Sequence, residues 1–573
     1  MNLNLPTQPT NIFLRFDPTL ITNGRLEAIV KYNGDIESIL DSVESVEILN
    51  GSFAIVTGTT EQIRALYLIP IIEYIELPKT LTYELSSSRY SVCASRAQEN
   101  PYNLTGTGTA IGIIDSGIDI THPDFRNEDG TSRISYIWDQ SAVGRVPQGF
   151  AKGAEYTNEE INEALLSNTP ITQSAFTDNV GHGTAVAGIA CGNGRQSNGR
   201  EKGIAPEATI IVVKLGNRGF GAFSRTTEVM RGVKYTLDKA RDLGLPLSIN
   251  LSYGTNNGSH DGNSLFEQYI NSAADEWKTV ICVATGNEGA AGHHYSATLS
   301  QNEEINIPFS VLGAPKRIYM TLWKNFSDTI TFRLSSPANE SNIIITPEQN
   351  YYFFNTANTS VSVFYGQPTP LTQYQELYFL LESNNLSITE GIWTLTAIGE
   401  NIIDGRFDIW LPTVEEVTND TAFSFPDTDV TLTLPSTAER VISVGGYNAN
   451  TNTSATFSGR GFTRNDVYVK PDITAPSVNI LTTRSGGGYM QFTGTSIASP
   501  FVAGACCLLM EWGIVRGNDP FLYAQRAKAF LQKGAKRTQN IPYPNNIWGY
   551  GTLCISNTLD LLSFYNNQGG FSV

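Results

Sequence analysis

Short apolar segments that alternate with helical patterns are the feature that most constrains the fold of this chain. Three such segments are bounded by small or polar residues and are too short to be helices. Stretches with helical spacing lie between them, at residues 183–192, 226–243 and 264–276. Wholly apolar strands separated by helices are typical of a doubly wound parallel α/β sheet, whose ligands bind at the carboxyl ends of the strands. The three predicted strands are residues 109–114, 209–214 and 279–284.

The α/β pattern stops near residue 296 and resumes with the apolar strand at residues 440–445. Between these points the chain is rich in Thr, Phe, Tyr and Asn, and short segments alternate apolar with polar residues. Many short strands separated by turn residues predict an antiparallel β-sandwich. Residues 296–434 are therefore predicted to be an inserted domain that divides the sheet domain into residues 97–295 and 435–573. Segments with this alternation include residues 317–323, 351–355, 360–365, 376–381 and 392–397.

A small α/β unit precedes the sheet domain. Residues 25–32 alternate as a strand, residues 35–45 have helical spacing, and further strand and helix patterns follow as far as residue 76. The order β-α-β-β-α-β predicts a ferredoxin-like split motif. The polar, serine-rich residues 80–103 predict a linker. Residues 1–96 are therefore predicted to be a separate N-terminal domain with its linker.

Length and charge restrict the class of protein. A chain of 573 residues and 62.6 kDa is too long for one core, so two or three domains are expected. The formal net charge of −17 argues against nucleic acid as a partner, because phosphate binding needs clustered Lys and Arg. No stretch approaches the roughly 20 apolar residues of a membrane span, and residues 1–23 lack the pattern of a signal peptide. We therefore expect no membrane span, and a location in the cytoplasm of the producing cell or release by an unrecognised route.

The cysteines and the loops give no clear sign of a metal site. The cysteines lack metal-ligand spacing and lie mostly in apolar segments, so reduced and buried thiols are expected instead of a disulfide framework. No loop has a clear oxygen-ligand pattern for calcium, although residues 127–130 leave calcium binding open. No other cofactor is expected. The six cysteines are Cys93, Cys191, Cys282, Cys506, Cys507 and Cys554.

Ser496 is the first candidate for chemistry. It lies in the sequence Thr-Gly-Thr-Ser-Ile-Ala-Ser-Pro, residues 493–500, which opens an apolar helical stretch at residues 501–510. Glycine allows close approach of the backbone, and a helix N-terminus stabilises negative charge that develops near the hydroxyl. Such a serine acts as a nucleophile only with a base and an oxyanion donor nearby. Alone, it fits an ordinary N-capped helix equally well.

Three further segments supply the groups that Ser496 needs. Asp115 follows the first predicted strand, His182 lies at the start of a predicted helix, and Asn287 follows the third strand. Taken singly, each has an ordinary structural interpretation as a turn residue or a histidine among glycines. Their joint occurrence at strand and helix ends favours a catalytic group in which Ser496 is the nucleophile.

At these residues the chain resembles the subtilisin-like serine proteases, or subtilases. Around the four positions it reads Asp-Ser-Gly-Ile-Asp, Gly-His-Gly-Thr, Ala-Thr-Gly-Asn and Gly-Thr-Ser-Ile-Ala-Ser-Pro, which are the signatures of that family. The chain order Asp, His, Ser is that of subtilisin. Two departures are Ala185, where many members carry a second histidine, and Ile497, where many carry methionine. The resemblance covers roughly residues 97–295 and 435–562.

The resemblance implies a role for each of these residues. Ser496 attacks the scissile carbonyl, His182 transfers the proton, and Asp115 holds the imidazole in its productive tautomer. Asn287 and the backbone N–H of Ser496 stabilise the oxyanion. Two further segments match the strands that bind the substrate backbone by strand addition. The matching residues are Gly219, Gly221, Leu251, Ser252, Tyr253 and Gly254.

The flanking domains resemble those of the Csp proteases, the clostridial spore-germination subtilases. A ferredoxin-like module ahead of a subtilase looks like a prodomain, with self-cleavage expected between residues 86 and 98. In that family the insertion is a jelly roll, and the enzyme cleaves the proform of a cortex-degrading hydrolase during germination. The resemblance implies a self-processing serine endopeptidase that is packaged in the spore. Its implied partners are its own prodomain and a protein zymogen.

Two other functions stay open on the sequence alone. A prodomain that remains in the cleft would leave a binding or sensor protein on a protease scaffold. A general degradative subtilase would carry the same four signatures and would act on many proteins.

Overall fold

One antiparallel sheet forms the N-terminal unit. The elements of this part of the chain are β1 (Ile21–Thr22), β2 (Arg25–Tyr32), β3 (Ser45–Ile48), β4 (Phe53–Gly58), α1 (Thr60–Ala65), β5 (Ile72–Glu76) and β6 (Thr80–Leu81), with 3-10 helices at Ile36–Ser42 and Leu66–Leu68. β6 lies outside the sheet. β2 pairs with β4 on one side and with β1 and β5 on the other, and β3 lies outside β4.

The structure is a computed structural model that describes residues 21–22, 24–78, 80–81, 90–167, 174–216, 224–337, 342–356, 358–418 and 420–567.

Both faces of this N-terminal sheet are apolar, because successive strand residues point to opposite sides. Ala28 and Val30 face the helices of the unit and are buried in a small core. Ile29 and Phe53 face the other way and join the core of the following domain, where the Phe53 ring lies 5.7 Å from the ring of Tyr269. The N-terminal unit is therefore packed on the rest of the protein through its sheet.

Buried parallel strands and helices alternate after the N-terminal unit, as the sequence predicts. The elements are α2 (Ala94–Gln98), β7 (Ala110–Asp115), β8 (Ile134–Asp139), β9 (Ala154–Thr157), α3 (Asn158–Leu166), α4 (His182–Cys191), β10 (Thr209–Lys214), β11 (Ser224–Arg225), α5 (Thr226–Leu243), β12 (Leu247–Leu251), α6 (Leu265–Ala274) and β13 (Thr279–Ala284). Short 3-10 helices lie at Tyr90–Val92, Pro123–Phe125, Ser174–Phe176 and Arg195–Ser197. β7 pairs in parallel with β10 on one side and with β12 on the other.

Antiparallel strands form the inserted segment, in two sheets that share one apolar core. The strands are β14 (His294–Thr298), β15 (Glu304–Val311), β16 (Arg317–Asn325), β17 (Thr329–Ser335), β18 (Asn342–Ile345), β19 (Tyr351–Asn355), β20 (Thr359–Tyr365), β21 (Tyr374–Ser383), β22 (Gly391–Asn401) and β23 (Arg406–Trp410). One sheet has the order β14-β23-β16-β21-β20-β19, and the other has the order β15-β22-β17-β18. Phe379 from the first sheet and Phe332 from the second are fully buried in the core between them.

The chain returns to the central sheet through a strand that pairs in parallel with β13. The remaining elements are β24 (Ile442–Asn448), β25 (Thr453–Ser454), β26 (Ile473–Pro476), β27 (Ile480–Thr483), β28 (Tyr489–Phe492), α7 (Ala498–Met510), α8 (Ala524–Gly534) and α9 (Ile555–Asn567), with a 3-10 helix at Thr495–Ile497 and a π-helical turn at Glu511–Val515. In the described chain the central sheet has the order β25-β24-β13-β12-β7-β10-β8-β9, with β26 beside β24. α4 and α7 cover one face, and α5 and α6 cover the other. The carboxyl ends of β7, β12 and β13 therefore meet at one edge.

The cysteines differ from the sequence prediction in one pair. Cys93, just before α2, and Cys554, just before α9, form a disulfide with their Cα atoms 5.1 Å apart. The prediction of reduced thiols is wrong for this pair, because a separation of 461 residues leaves no local sequence signal for the contact. The other four are free and buried, as predicted: Cys191, Cys282, Cys506 and Cys507.

Residues 80–103 contain more structure than the predicted linker. β6 pairs antiparallel with β11, and α2 follows the 3-10 helix Tyr90–Val92. Val92, Ala94 and Ala97 are buried against the main core, which the serine-rich composition of the segment did not indicate. Residues 82–89 lie outside the described residues.

One helical stretch of the described chain, Thr495–Val515, is long and apolar enough to cross a membrane by length and composition. The sequence prediction that no stretch comes near this length is therefore corrected. Nearly all of the most apolar part of this stretch is buried within the protein, where α7 packs against α4, β12 and β13. The core helix of a globular domain can be as long and as apolar as a membrane span, because it too is surrounded by apolar side chains.

A buried cluster of charges joins the N-terminal unit to α5. Arg231 donates from Nε to Glu47 Oε2 at 2.6 Å and from Nη1 to Glu27 Oε2 at 2.9 Å. Lys152 Nζ donates to Glu27 Oε1 at 3.0 Å. The side chain of Arg231 is fully buried, so the two carboxylates replace the water that the guanidinium loses. The attachment of the N-terminal unit therefore includes ionic contacts as well as apolar packing.

Arg231→Met should lower the free energy of unfolding by about 3–5 kcal/mol, because it leaves Glu27 and Glu47 buried without their main cation. Urea unfolding followed by intrinsic fluorescence measures the loss. Arg241→Met on the same helix is the control, since the Arg241 side chain is 60% exposed and its ion pairs lie at the surface. A change below about 1 kcal/mol is expected there. Equal losses in the two variants would contradict the importance of the buried cluster.

Candidate active site

Asp115 and His182 form a buried, hydrogen-bonded pair at the carboxyl edge of the central sheet. Asp115 is the last residue of β7, and His182 is the first residue of α4. His182 Nδ1 lies 2.6 Å from Asp115 Oδ1, and both side chains are fully buried. The structure therefore brings these two predicted site residues into direct contact.

The close approach of α4 to the end of β7 depends on Gly183. A Cβ atom at this position would collide with the carbonyl oxygen of Gly117 and would lie 3.1 Å from Asp115 Cβ. The Gly183 N–H donates to Ser116 Oγ at 2.9 Å. A larger residue would push the first turn of α4, and His182 with it, away from the strand end.

Asp178 holds the first turn of α4 in place, although it was not among the residues predicted from the sequence. Its Oδ2 accepts hydrogen bonds from Thr184 N–H at 2.9 Å and from Thr184 Oγ1 at 2.8 Å. Its Oδ1 accepts from Gly181 N–H at 2.9 Å and from Ser116 Oγ at 2.8 Å. The first N–H groups of a helix need such acceptors, so an acidic residue just before the helical pattern was the available signal.

Ser496 is buried in the turn that leads into the central helix α7. It belongs to the 3-10 helix Thr495–Ile497, so helical structure begins before the predicted stretch at residues 501–510. Ser496 Oγ is buried and has no hydrogen-bond partner in the part of the chain that the structure describes. The Ser496 carbonyl oxygen accepts a hydrogen bond of 2.6 Å from Ser252 Oγ, just after β12. α4, which begins with His182, packs against the same turn.

Asn287 follows β13, and the turn that holds Ser496 orients its side chain. Asn287 Oδ1 accepts from Thr495 N–H at 3.1 Å, and Nδ2 points to Glu415 Oε1, 3.4 Å away. The preceding residue, Gly286, has a φ of +92°, which other residues rarely adopt, and its N–H donates to Thr495 Oγ1 at 3.1 Å. Two hydrogen bonds therefore connect the end of β13 with the turn that holds Ser496.

Residues 251–254 lie along the same edge of the sheet. Leu251 ends β12 and is buried, as are Ser252 and Tyr253. The Tyr253 ring meets the His182 ring edge-on at a centroid distance of 6.3 Å. Gly254 is also buried and continues the segment away from β12. Outside the described residues lie two more predicted site residues, Gly219 and Gly221.

Three carboxyl groups belong to the two segments that meet at Asn287, and one of them, that of Glu415, contacts its side chain. Glu288 follows Asn287 directly, and its Oε1 accepts a hydrogen bond of 3.0 Å from Val414 N–H in the segment after β23. Burial and the charge of Glu288 raise the pKa of Glu415 to about 7, and burial raises the pKa of Glu416 to about 7. No local sequence pattern predicts the contact of Glu415 with Asn287, because 128 positions separate the two residues.

No group of three or more His, Cys, Asp or Glu side chains within the described ranges is arranged to hold a metal ion. In the loop that the sequence left open for calcium, Asp129 Oδ1 accepts hydrogen bonds from the Thr131 N–H at 2.9 Å and the Thr131 hydroxyl at 2.6 Å. This carboxylate oxygen is therefore engaged within its own turn.

The arrangement suits nucleophilic chemistry at a serine. A histidine held by a carboxylate through Nδ1 presents its other nitrogen as a base, and a nearby serine hydroxyl can then attack a carbonyl carbon. An amide N–H and a helix start can stabilise the negative charge that develops on the carbonyl oxygen. All of these groups stand at the carboxyl edge of the sheet, where doubly wound folds bind their ligands.

Two protein-family models match the chain. A model described as the subtilase family matches residues 106–378 and 383–551, which is more than half of the chain. A model described as the Csp protease B prodomain matches residues 3–79. The subtilase match includes all four residues at the centre of the site: Asp115, His182, Asn287 and Ser496.

Individual proteins show the same relationship. The solved structure of the CspB protease of Clostridium perfringens is similar to this chain, with 37% identity, a TM-score of 0.75, and coverage of 83% of this chain and 97% of that one. The PII-type proteinase of Lactococcus lactis subsp. cremoris is 25% identical over 88% of this chain, and the minor extracellular protease Vpr of Bacillus subtilis is 23% identical over 79%. The chain spans only 28% and 52% of the lengths of these two proteins. It therefore belongs to the subtilase family and is a subtilisin-like serine peptidase with a Csp-type prodomain.

Proposed function

We propose that this peptidase removes its own prodomain and then activates a protein zymogen by limited proteolysis. The observation that carries the proposal is the 2.6 Å hydrogen bond between His182 and Asp115, at the sheet edge that also holds Ser496. In the proposed roles Ser496 attacks the scissile carbonyl, His182 takes and returns the proton, and Asp115 holds the imidazole. Asn287 and the Ser496 N–H bind the oxyanion.

Strand pairing supports the proposed path of the peptide substrate. β6, near the end of the prodomain, pairs antiparallel with β11, so that Leu81 lies opposite Ser224. β11 directly follows the segment that contains Gly219 and Gly221, which we propose as one substrate-binding strand. A prodomain tail that continues this pairing would enter the site as an added strand, with residues 251–254 on its other side.

We propose the N-terminal part of residues 86–98 as the site of self-cleavage. A protease binds its substrate as an extended segment, so a folded helix is a poor substrate. Residues 94–98 form α2, Val92 is buried, and Cys93 is bonded to Cys554. The chain just before Tyr90 is therefore the favoured scissile region.

The strand arrangements of the N-terminal unit and of the inserted segment support a fold assignment for each. The strand order β5-β2-β4-β3, with helices on one face, supports a ferredoxin-like prodomain. Two antiparallel sheets around one core support a jelly roll in the insertion. We propose the domain limits 1–96, 97–295, 296–434 and 435–573, where the first range includes the processing linker and residues 90–96 stay on the peptidase after the proposed cleavage.

The Csp-type prodomain supports the proform of a spore cortex-degrading hydrolase as the physiological substrate. Packaging in the spore is the location that fits this substrate. The Cys93–Cys554 disulfide argues against a permanently reduced cytoplasm, because disulfides form and persist in oxidising compartments.

One observation favours a second function, that of a binding or sensor protein whose prodomain stays in place. The buried contacts of Arg231 with Glu27 and Glu47 hold the prodomain on α5. A protein with this function would cleave itself once and would then cleave no other substrate. Self-processing without later cleavage of a peptide library or of a cortex-hydrolase proform would support it.

Ser496→Ala should abolish self-processing and labelling by a fluorescent fluorophosphonate, because it removes the nucleophile. Wild-type protein should separate into two fragments on a denaturing gel, and the variant should remain one chain. Ser499→Ala is the matched control, since Ser499 Oγ in α7 is equally buried and has no hydrogen-bond partner in the described chain. We expect this control to process and label as the wild type does. An intact and unlabelled wild-type chain would contradict the proposal.

Asn287→Ala should lower kcat by about 10²–10³-fold with little change in KM, because an oxyanion donor acts in the transition state. N-terminal sequencing of the wild type identifies the self-cleavage site, and a peptide that spans this site serves as the substrate. Circular dichroism confirms that the variant is folded. A change confined to KM would instead indicate that Asn287 contributes to ground-state binding.

A further inference from the structure

Glu415 brings a carboxyl group from the inserted part of the chain to the proposed oxyanion donor. Glu415 Oε1 lies 3.4 Å from Asn287 Nδ2, the atom that would donate to the carbonyl oxygen of a substrate. The opposite end of the amide is occupied, because Asn287 Oδ1 accepts from Thr495 N–H at 3.1 Å. Asn287 therefore has a fixed orientation in which its NH₂ group faces Glu415.

Two hydrogen bonds hold the segment that carries Glu415 against the catalytic part of the chain. The Leu411 carbonyl oxygen accepts from Asn256 Nδ2 at 3.1 Å, and Val414 N–H donates to Glu288 Oε1 at 3.0 Å. Asn256 and Glu288 are themselves hydrogen-bonded to each other at 3.1 Å. The position of Glu415 beside Asn287 is thus determined by contacts on both sides of it.

Charged and titratable groups surround Glu415. Glu288, from the loop after β13, lies close enough to influence its ionisation, and His293 Nδ1 lies 2.7 Å from Glu288 Oε2. Glu416, on the same segment, accepts from the hydroxyl of Tyr319 in β16 at 3.1 Å and is not hydrogen-bonded to Asn287 in the described chain. A negative charge on Glu415, whose side chain is only partly exposed, would therefore stand beside other carboxylates.

We infer that Glu415 is a positioning residue for the oxyanion-binding amide of Asn287, and that the site is competent only while Glu415 is protonated. The inference rests on the oxyanion role proposed for Asn287. An ionised carboxylate accepts a hydrogen bond more strongly than a carbonyl oxygen, so it would compete for the Asn287 NH₂ group. It would also repel the negative charge of the tetrahedral intermediate in a medium that screens charge poorly. Protonation removes both effects.

The direction of the pH dependence follows from the surroundings of Glu415. Burial, and then the charge of Glu288, raise the pKa of Glu415 to about 7. The carboxyl group is therefore protonated below this pH and ionised above it. The reactivity of Ser496 should consequently be lost as the pH rises through 7.

Fluorophosphonate labelling measures this dependence without knowledge of the cleavage preference, because the phosphoryl oxygen of the probe occupies the oxyanion site. The second-order labelling rate of purified wild-type protein should fall about tenfold per pH unit above pH 7. Glu415→Gln should remove the fall and react about 30-fold faster than wild type at about pH 8.5. An unchanged profile in Glu415→Gln would overturn the inference.

Glu416→Gln is the matched control for this experiment. Burial raises the pKa of Glu416 to about 7 as well, but its carboxyl group contacts Tyr319 and Thr413 instead of Asn287. We expect this variant to keep the wild-type fall in rate. In the Asn287→Ala background, Glu415→Gln should change the rate by less than about twofold, because the group on which it acts is absent. A fall removed equally by both Gln variants would overturn the inference.

A second measurement detects the contact between Glu415 and Asn287 and does not require peptidase activity. In Ser496→Ala protein with ¹⁵N-labelled asparagine, the side-chain NH₂ signal of Asn287 is identified by its loss in Asn287→Ala. The chemical shift of this signal should change with pH, with a midpoint near pH 7. The change should persist in Glu416→Gln and should be absent in Glu415→Gln. An Asn287 signal that does not titrate would overturn the inference, even if the protein cleaves peptides. A titrating signal in a protein that fluorophosphonate never labels would support the contact and would count against the proposed function alone.

Discussion

The buried hydrogen bond between Asp115 and His182 depends on how closely α4 approaches the end of β7. An ionised carboxylate without water is costly unless it is paired, so a gap at this point would destabilise Asp115 and release the imidazole. Gly183 permits the approach because it has no Cβ atom, and Asp178 maintains it by accepting hydrogen bonds from the first turn of α4. The geometry of the site therefore rests on residues that perform no chemistry.

The insertion contributes to the same edge of the sheet. Its two sheets have a core of their own, yet the segment after β23 is hydrogen-bonded to Asn256 and Glu288 and places Glu415 beside Asn287. A change in the packing of the insertion would move this segment and would change the surroundings of the proposed oxyanion site. The insertion thus contributes to the surroundings of the proposed oxyanion site.

Local patterns explain why much of the fold could be predicted and why the rest could not. The strands at residues 209–214 and 279–284 and the helix at residues 226–243 have the predicted bounds, because apolar runs and helical spacing are local signals. The Asp115–His182 contact followed from four sequence signatures that together indicate one arrangement. The contacts of Cys93 with Cys554 and of Asn287 with Glu415 join distant parts of the chain and leave no local pattern.

The Cys93–Cys554 disulfide changes the topology of the chain once the prodomain is cut away. Self-cleavage just before Tyr90 would place the new N-terminus a few residues before one cysteine, while the other immediately precedes α9. The peptidase would then contain a covalent ring with a tail on each side of it. A closed loop of this length restricts the unfolded chain far more than the folded one. An exopeptidase that digested either tail would stop at the ring, which opens only by reduction or by a second internal cut.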